Sequence, residues 1–329
     1  MSSRPVVVIP ADSPSMVSRS PHLELLKEMA DVVLHLDRPL DDDEKVRRLK
    51  DADILLNSRG SLKIPRSVLE RLPRLKMIAV CGIGYDSIDL AASTEQGIVV
   101  SNIPGRTATV VAEHAIGLML AVARRMAFMT SELKAGRWRG DLGMSLAGRQ
   151  AGIIGTGNIG CEMIRLCKAI GMSVVAWSLH PDPAKAERLG FRYVTMDELL
   201  HTSDAVSLHT RLSEKTHNLI SERELAMMKS STILINTSRG AVVDSAALVD
   251  ALNRGALFGA GLDVFDHEPL PADHPILSCE QIVLTPHTAD QTQEGIDQLT
   301  LGCVANIHAF LDGKAQNVVN PEVLLSKSL

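Results

Sequence analysis

Three polar segments in the second half of the chain each follow an apolar run and supply a charged or titratable group. They are INTSRGAVVD over 235–244 with Arg239, GAGLDVFDHEP over 259–269 with Glu268, and LTPHTAD over 284–290 with His287. An imidazole titrates near neutral pH and can give a proton to an oxygen or take one from it. A carboxylate beside the ring fixes its orientation and favours its protonated form. A guanidinium can grip a substrate carboxylate through two parallel hydrogen bonds and polarise the carbonyl next to it. Each residue alone is equally well explained as a surface ion pair or a cap. Together they suit reduction of the carbonyl of a small 2-oxo acid, or the reverse reaction. That chemistry needs a hydride carrier, and an upstream segment offers a place for one.

Residues 150–160 read QAGIIGTGNIG, a GxGxxG pattern formed by Gly155, Gly157 and Gly160. It follows a predicted strand and opens a predicted helix over 158–170, the context in which such a turn binds a dinucleotide. Gly155 permits the tight turn, Gly157 lets the backbone approach a pyrophosphate, and Gly160 lets the helix pack on the sheet. The helix N-terminus adds unpaired N–H groups and partial positive charge. Eighteen residues after Gly160 stands Ser178, where an acidic residue would bind both ribose hydroxyls of NAD. No carboxylate there repels a 2′-phosphate, and no Arg follows directly to bind one. His180, Lys185 and Arg188 are the nearest basic groups, so NAD and NADP are both open.

The elements that must position these groups read as α/β. Strands are expected at 6–9, 32–36, 54–57, 76–81 and 98–102, with helices between them, including 23–30 and 41–50. A helical pattern runs over 109–125 and a loop over 135–148. Strands then resume at 150–154, 173–177, 192–194, 205–209, 232–236, 257–262 and 281–285. Apolar β-branched strands alternating with helices indicate parallel sheets buried on both faces. A helix is expected at 291–311, and residues 317–329 read as an exposed tail. Two sheet systems follow, divided near 102–104.

Composition bounds the alternatives. The chain has 329 residues, 45% hydrophobic and 22% charged, the balance of a folded globular protein. Aromatics are only 3%, so the cores must be aliphatic. A net charge of -5 gives no electrostatic reason to expect nucleic acid or an anionic membrane as partner. The apolar runs are strand-sized, and the one at the N-terminus is too short for a signal peptide, which points to the cytoplasm. The cysteines at 81, 161, 167, 279 and 303 show no CxxC or Cys/His cluster, so buried thiols are expected and zinc is not.

Taken in order, GTGNIG, NTSRGAVVD, GLDVFDHEPL and TPH resemble the D-isomer-specific 2-hydroxy acid dehydrogenase family, which includes D-lactate, glyoxylate/hydroxypyruvate, phosphoglycerate and formate dehydrogenases. The resemblance runs from about residue 50 to 320. It implies Arg239 as carboxylate binder, Glu268 as support for the acid–base His287, and Asp263 as contact to the nicotinamide amide. Thr237 and Ser238 would line the nicotinamide, Asn158 and Ile159 the pyrophosphate, and Ser178 and His209 would also meet the cofactor. The Cys81–Asp86 loop would hold the substrate carboxylate on the amides of Ile83 and Gly84, with Arg59 at the entrance. The implied fold is two Rossmann-like or flavodoxin-like parallel-sheet domains. A cofactor domain over 103–287 would be inserted into a substrate domain of 1–102 plus 288–329, with the active site in a cleft that closes on substrate. The family further implies a homodimer through the cofactor domain, using the 109–125 helix and the loop with Trp138.

The chain departs from the pattern in places. Thr107 replaces an Asn, His209-Thr210-Arg211 lacks the usual Pro, and Thr288-Ala289-Asp290 follow His287 where small residues are preferred. Asp290 could disfavour doubly anionic substrates or could cap the helix expected from Gln291. Reduction of glyoxylate or hydroxypyruvate is the leading expectation. Phosphoglycerate oxidation would want extra cations, for which Arg59 and Arg106 are candidates. Formate oxidation lacks that subgroup's extended N-terminal region. A nucleotide-sensing corepressor would need a peptide groove. A binding protein without turnover sits poorly with the intact Arg239, Glu268 and His287.

Overall fold

The β-branched runs form two parallel sheets in the computed structural model, which describes residues 4–60 and 62–325. The chain divides into two compact units, one built from the segments before Ala108 and after Asp290, the other from Ala108–Asp290. These divisions fall a few residues beyond those drawn from the pattern.

The first unit holds β1 (Val6–Ile9), β2 (Asp31–Leu34), β3 (Ile54–Ser58), β4 (Met77–Cys81) and β5 (Val99–Ser101), in the order β2-β1-β3-β4-β5. Every pairing is parallel. β3 and β4 are buried at every residue. Their side chains alternate between the two faces, as strand geometry requires. Ile54, Leu56, Met77 and Ala79 join Leu299, Cys303 and Ile307 of the C-terminal helix Gln293–Leu311. Leu55, Ile78 and Val80 join Val68, Leu69 and Leu72 on the other face. The C-terminal helix therefore completes a core begun almost three hundred residues earlier.

Two expectations for this unit fail. The C-terminal helix is capped by Thr292, whose side chain accepts from the Gly295 N–H at 3.0 Å, and not by Asp290. Nor do the residues from 317 to 325 form an exposed tail (326–329 lie outside the described residues). Val318 bridges antiparallel to Ser101 and covers the edge of β5. Asn320 is fully buried: its Oδ1 accepts from the Val100 N–H at 2.9 Å, and its Nδ2 donates to the Ile98 carbonyl at 2.9 Å and to Thr94 Oγ1 at 3.1 Å. A short helix, Glu322–Leu325, then buries Val323.

The second unit holds β6 (Gln150–Ile154), β7 (Ser173–Trp177), β8 (Arg192–Tyr193), β9 (Ala205–Leu208), β10 (Ile233–Asn236), β11 (Gly259–Leu262) and β12 (Ile282–Leu284). Their order is β12-β11-β10-β9-β6-β7-β8, all parallel. The chain leaves β6 and β9, neighbours in the sheet, in opposite directions. A crevice opens at the carboxyl ends of strands at such a switch point. The helix Ala108–Ala123 lies close on β11 because that strand reads GAGL. A Cβ at Gly259 would come 2.8 Å from Val122 Cγ1, and one at Gly261 would come 3.0 Å from Leu118 Cβ. The expected 109–125 helix stops at Ala123. Arg125 turns left-handed at φ 55°, and a second helix, Met126–Lys134, begins.

Asn320→Ala leaves the buried Val100 N–H and Ile98 carbonyl without their side-chain partner, at a cost of about 3 kcal/mol. Chemical unfolding read together with amide exchange across Val99–Ser101 measures it. Unchanged exchange in β5 would show that this segment does not hold the sheet edge.

Candidate active site

The glycine turn joins β6 to the helix Asn158–Ala169. Gly155 has φ 96°, and a Cβ on it would lie 2.6 Å from the His209 carbonyl oxygen. A Cβ on Gly160 would run into the Gly155 carbonyl. Gly157, the N-cap, is different: a Cβ there meets nothing within 4 Å. The turn is thus closed against the protein at two glycines and open at the third, beside the N–H groups of Asn158, Ile159 and Gly160 in the helix's first turn. At the ends of β9 and β10, the hydroxyls of Thr210 and Thr237 are buried with no hydrogen-bond partner among the described residues. An open glycine face at a helix N-terminus, flanked by two buried hydroxyls awaiting partners, fits a dinucleotide.

The remaining cofactor candidates lie around this turn. The His209 N–H donates to the Ile154 carbonyl at 2.8 Å, and its Nε2 lies 2.9 Å from Ser207 Oγ. Burial pushes its pKa down to about 3, so the ring is neutral at any working pH. Ser178 Oγ accepts from the His180 N–H at 3.2 Å. Lys185 reaches back to the turn, donating from Nζ to the Thr156 carbonyl at 3.0 Å.

The acid–base candidates come together at the ends of β10, β11 and β12. Asn236 organises the Arg239 loop. Its Oδ1 accepts from the Ser238 N–H at 2.9 Å and from Ser238 Oγ at 2.8 Å, while its Nδ2 donates to the Arg239 carbonyl at 2.9 Å. Gly240 packs this loop against the backbone of Phe265 and Asp266, where no side chain would fit. Glu268 Oε2 lies 2.6 Å from His287 Nδ1, and Glu268 Oε1 accepts from the Phe265 N–H at 3.0 Å. Burial pushes the Glu268 pKa up. The hydrogen bond and charge of His287, the Phe265 amide and the nearby Arg239 guanidinium outweigh it and hold the carboxyl below its ordinary value. Glu268 is therefore ionised at neutral pH, can only accept, and fixes the proton of the pair on His287 Nδ1.

His287 itself sits at φ 54°. A non-glycine residue in that region costs on the order of 1–3 kcal/mol and needs surroundings that hold it there. Asp263 does so. Its side chain is 1% exposed, and its carboxylate accepts from Thr285 Oγ1 at 2.6 Å, the Thr288 N–H at 2.7 Å and the Ala289 N–H at 2.9 Å. The residue expected at the nicotinamide amide is thus buried and bound to the segment that carries His287. Sequence reasoning also passed over His114, whose Nε2 lies 2.9 Å from Thr285 Oγ1. The one available signal was a histidine on an otherwise apolar helix face, too weak to single out.

In the first unit, Arg59 (φ 56°) and Gly60 (φ 62°) form a left-handed turn against the loop after β4. A Cβ on Gly60 would lie 3.2 Å from the Gly84 carbonyl oxygen, and one on Gly82 3.5 Å from the Arg59 carbonyl oxygen. The loop's own carbonyls are tied inward: Gly82 accepts from the Ile103 N–H at 2.9 Å, and Ile83 from Asn102 Nδ2 at 2.7 Å. Among the described residues, the N–H groups of Ile83 and Gly84 have no acceptor. Adjacent unpaired amides of this kind form an anion-binding concavity.

Residues 116–289 match the family profile described as D-isomer specific 2-hydroxyacid dehydrogenase, NAD binding domain. A glyoxylate reductase of Thermococcus litoralis is 39% identical over 293 residues, covering 86% of this chain and 87% of its own length. A hydroxypyruvate reductase of Thermotoga maritima is 40% identical over 274 residues, covering 82% of this chain and 88% of its own. Among solved structures, a D-lactate dehydrogenase from Aquifex aeolicus in complex with NAD and lactic acid superposes with a TM-score of 0.83 at 29% identity, covering 96% of this chain and 99% of that one.

The open face of Gly157 yields a test that separates folding from binding. Gly157→Ala is tolerated by the fold, with a stability change under about 0.5 kcal/mol, because the added methyl touches no protein atom. It lowers dinucleotide affinity about tenfold or more, read by nicotinamide fluorescence titration. Unchanged affinity would show that no pyrophosphate lies against that face.

Proposed function

This chain belongs to the D-isomer specific 2-hydroxyacid dehydrogenase family, and on that footing we propose that it reduces a short 2-oxo acid, glyoxylate or hydroxypyruvate, to the corresponding 2-hydroxy acid. The observation that carries the reading is the 2.6 Å pair of an ionised Glu268 with His287 Nδ1, with Arg239 close enough to act electrostatically on the carboxylate. The names of the two relatives above, a glyoxylate reductase and a hydroxypyruvate reductase, support the substrate class.

A bound nicotinamide cofactor supplies the hydride. The side chains do the rest. Arg239 binds the substrate carboxylate and polarises the C2 carbonyl. With Nδ1 held by Glu268, the His287 ring gives its proton from Nε2 to the carbonyl oxygen, and Glu268 stabilises the imidazolium before that transfer. His287 is 36% exposed, so the ring can be reprotonated from water. The amides of Ile83 and Gly84, with Arg59 beside them, are proposed as a carboxylate-binding loop of the first unit. Ser178 admits NADH and NADPH alike, since it neither repels a 2′-phosphate nor binds one by charge. We place the enzyme in the cytoplasm, in keeping with five free thiols and, among the described residues, no helix long and apolar enough to cross a membrane.

We further propose a homodimer. Met126, Leu133, Trp138 and Leu142 are 50%, 53%, 96% and 88% exposed, a concentration of apolar surface on one helix and the loop after it. Light scattering should report the mass of two chains for the native protein and of one for Trp138→Glu/Leu142→Asp; a native monomer at micromolar concentration refutes the dimer.

The activity is tested by oxidation of NADH and NADPH against glyoxylate, hydroxypyruvate, pyruvate, phenylpyruvate and phosphohydroxypyruvate. Turnover of glyoxylate or hydroxypyruvate is expected. His287→Ala should lower kcat about 10³-fold while cofactor affinity holds. Failure of both acids with a folded, cofactor-binding protein would overturn the proposal, and so would near-native kcat in the variant.

A further inference from the structure

We propose that His114 is a positioning residue for the acid–base histidine, acting through Thr285 and Asp263; the inference rests on the role proposed for His287. Three observations carry it, all within the second unit.

The first is the strained backbone of His287, at φ 54°. The groups that hold it bracket it in sequence. The hydroxyl of Thr285 comes two residues before, and the amides of Thr288 and Ala289 come one and two residues after. All three converge on the one carboxylate of Asp263. Whatever sets that carboxylate and that hydroxyl sets the direction in which the His287 side chain leaves the turn.

The second is the hydrogen-bond chain behind them. His114 Nε2 lies 2.9 Å from Thr285 Oγ1 and 3.5 Å from Asp263 Oδ1. Asp263 as a carboxylate can only accept, so the single hydroxyl proton of Thr285 goes to it at 2.6 Å. The oxygen of Thr285 is then left to accept, and His114 Nε2 must carry a hydrogen to donate. The order His114 Nε2–H to Thr285 O–H to Asp263 is fixed by the chemistry of its last member. An apolar residue at 114 would leave that hydroxyl free to turn, and with it the shortest of the hydrogen bonds that hold Asp263.

The third is that the helix is placed for this contact. His114 is one turn before Leu118, and Asp263 lies two residues beyond Gly261 on the same face of the strand. Gly261 lets Leu118 approach to a distance at which a Cβ would be 3.0 Å away. One helical turn back and one strand repeat forward, the same approach sets the imidazole against Thr285 and Asp263.

The test compares His114→Leu, His114→Gln and Thr285→Val in the full-length protein. kcat and KM are measured for the best acid of the panel, and NADH affinity by fluorescence. The downfield Nδ1 proton of His287, assigned by its loss in His287→Asn, is followed by NMR. His114→Leu should lower kcat about 10- to 100-fold, leave KM and NADH affinity within about twofold, and broaden or erase the downfield proton. His114→Gln, whose amide donates at comparable reach, should restore most of both, and Thr285→Val should repeat the leucine phenotype if that variant fails to fold. Equal, near-native behaviour of the leucine and glutamine variants overturns the proposal, as does a lower kcat with the downfield proton intact. If no acid is turned over, the functional reading fails, and the resonance alone still decides whether His114 positions His287.

Discussion

The candidate site depends on one buried anion. Asp263 lies at the end of β11 with no exposed surface, and a carboxylate in that position must be satisfied or it destabilises the fold by several kcal/mol. Its donors come from the five residues around His287, so burying the charge and shaping the His287 turn are the same event. The strain of a left-handed histidine is the smaller quantity, on the order of 1–3 kcal/mol. The carboxylate wins, and the turn stays in a conformation that His287 would not adopt unaided. The glycines of β11 have a part in this, since they let the helix Ala108–Ala123 close over the same point.

Three carboxyls within six residues show how environment divides labour. Burial raises all of them. Asp263 is brought below its ordinary pKa by the neighbouring His114 and by hydrogen bonds from Thr285 and the two backbone amides, and Glu268 by His287, the Phe265 amide and Arg239. Asp266, between them, remains raised: the imidazoles of His267, His274 and His217 act on it only through space, and Asp244 opposes them. Lowered carboxyls contribute stability that is present above the unfolded pKa and lost as pH falls through the folded one. The loop between β11 and β12 is thus locked at neutral pH by Asp263 and Glu268, and acidification removes each lock as its carboxylate is protonated.

Much of this was legible in the sequence because it is written locally. Runs of Val, Ile and Leu declare the strands, GTGNIG declares the turn, and Arg239, Glu268 and His287 each stand just past an apolar run. What was not legible is carried by contacts distant in the chain. Asp263 matches a cofactor-binding position, but the hydrogen-bond donors it holds in the fold lie more than twenty residues downstream and leave no periodic mark. His114 meets Thr285 across 171 residues. Asn320 has the composition of a surface tail, yet β5 is a sheet edge whose Val100 amide needs a partner, and that asparagine is what the chain supplies. The helix break at Arg125 has no Gly or Pro to announce it. It follows the pairing of that guanidinium with Asp141 at 2.8 Å and its stacking over Phe128 and Phe258. Thr292 and Asp290 are both good caps by type, and local sequence cannot choose between them.

On the roles proposed for these residues, the two ends of the cofactor-binding crevice are built on different principles. At the reacting end, position is over-determined: a buried charge, a strained backbone and a carboxylate–imidazole pair leave His287 little freedom. At the adenosine end the groups are short and already partly committed. Lys185 spends a hydrogen bond on the Thr156 carbonyl, and Ser178 accepts from His180, which leaves the serine its own proton to donate. A hydroxyl that donates serves a ribose oxygen or a phosphate oxygen equally, whereas a carboxylate at that position would accept only the former. The neutral His209 adds no charge to tip the balance. Tolerance at one end and rigidity at the other follow from what each must do, since the adenosine only anchors the carrier, while the proton must arrive within hydrogen-bond reach of a single oxygen.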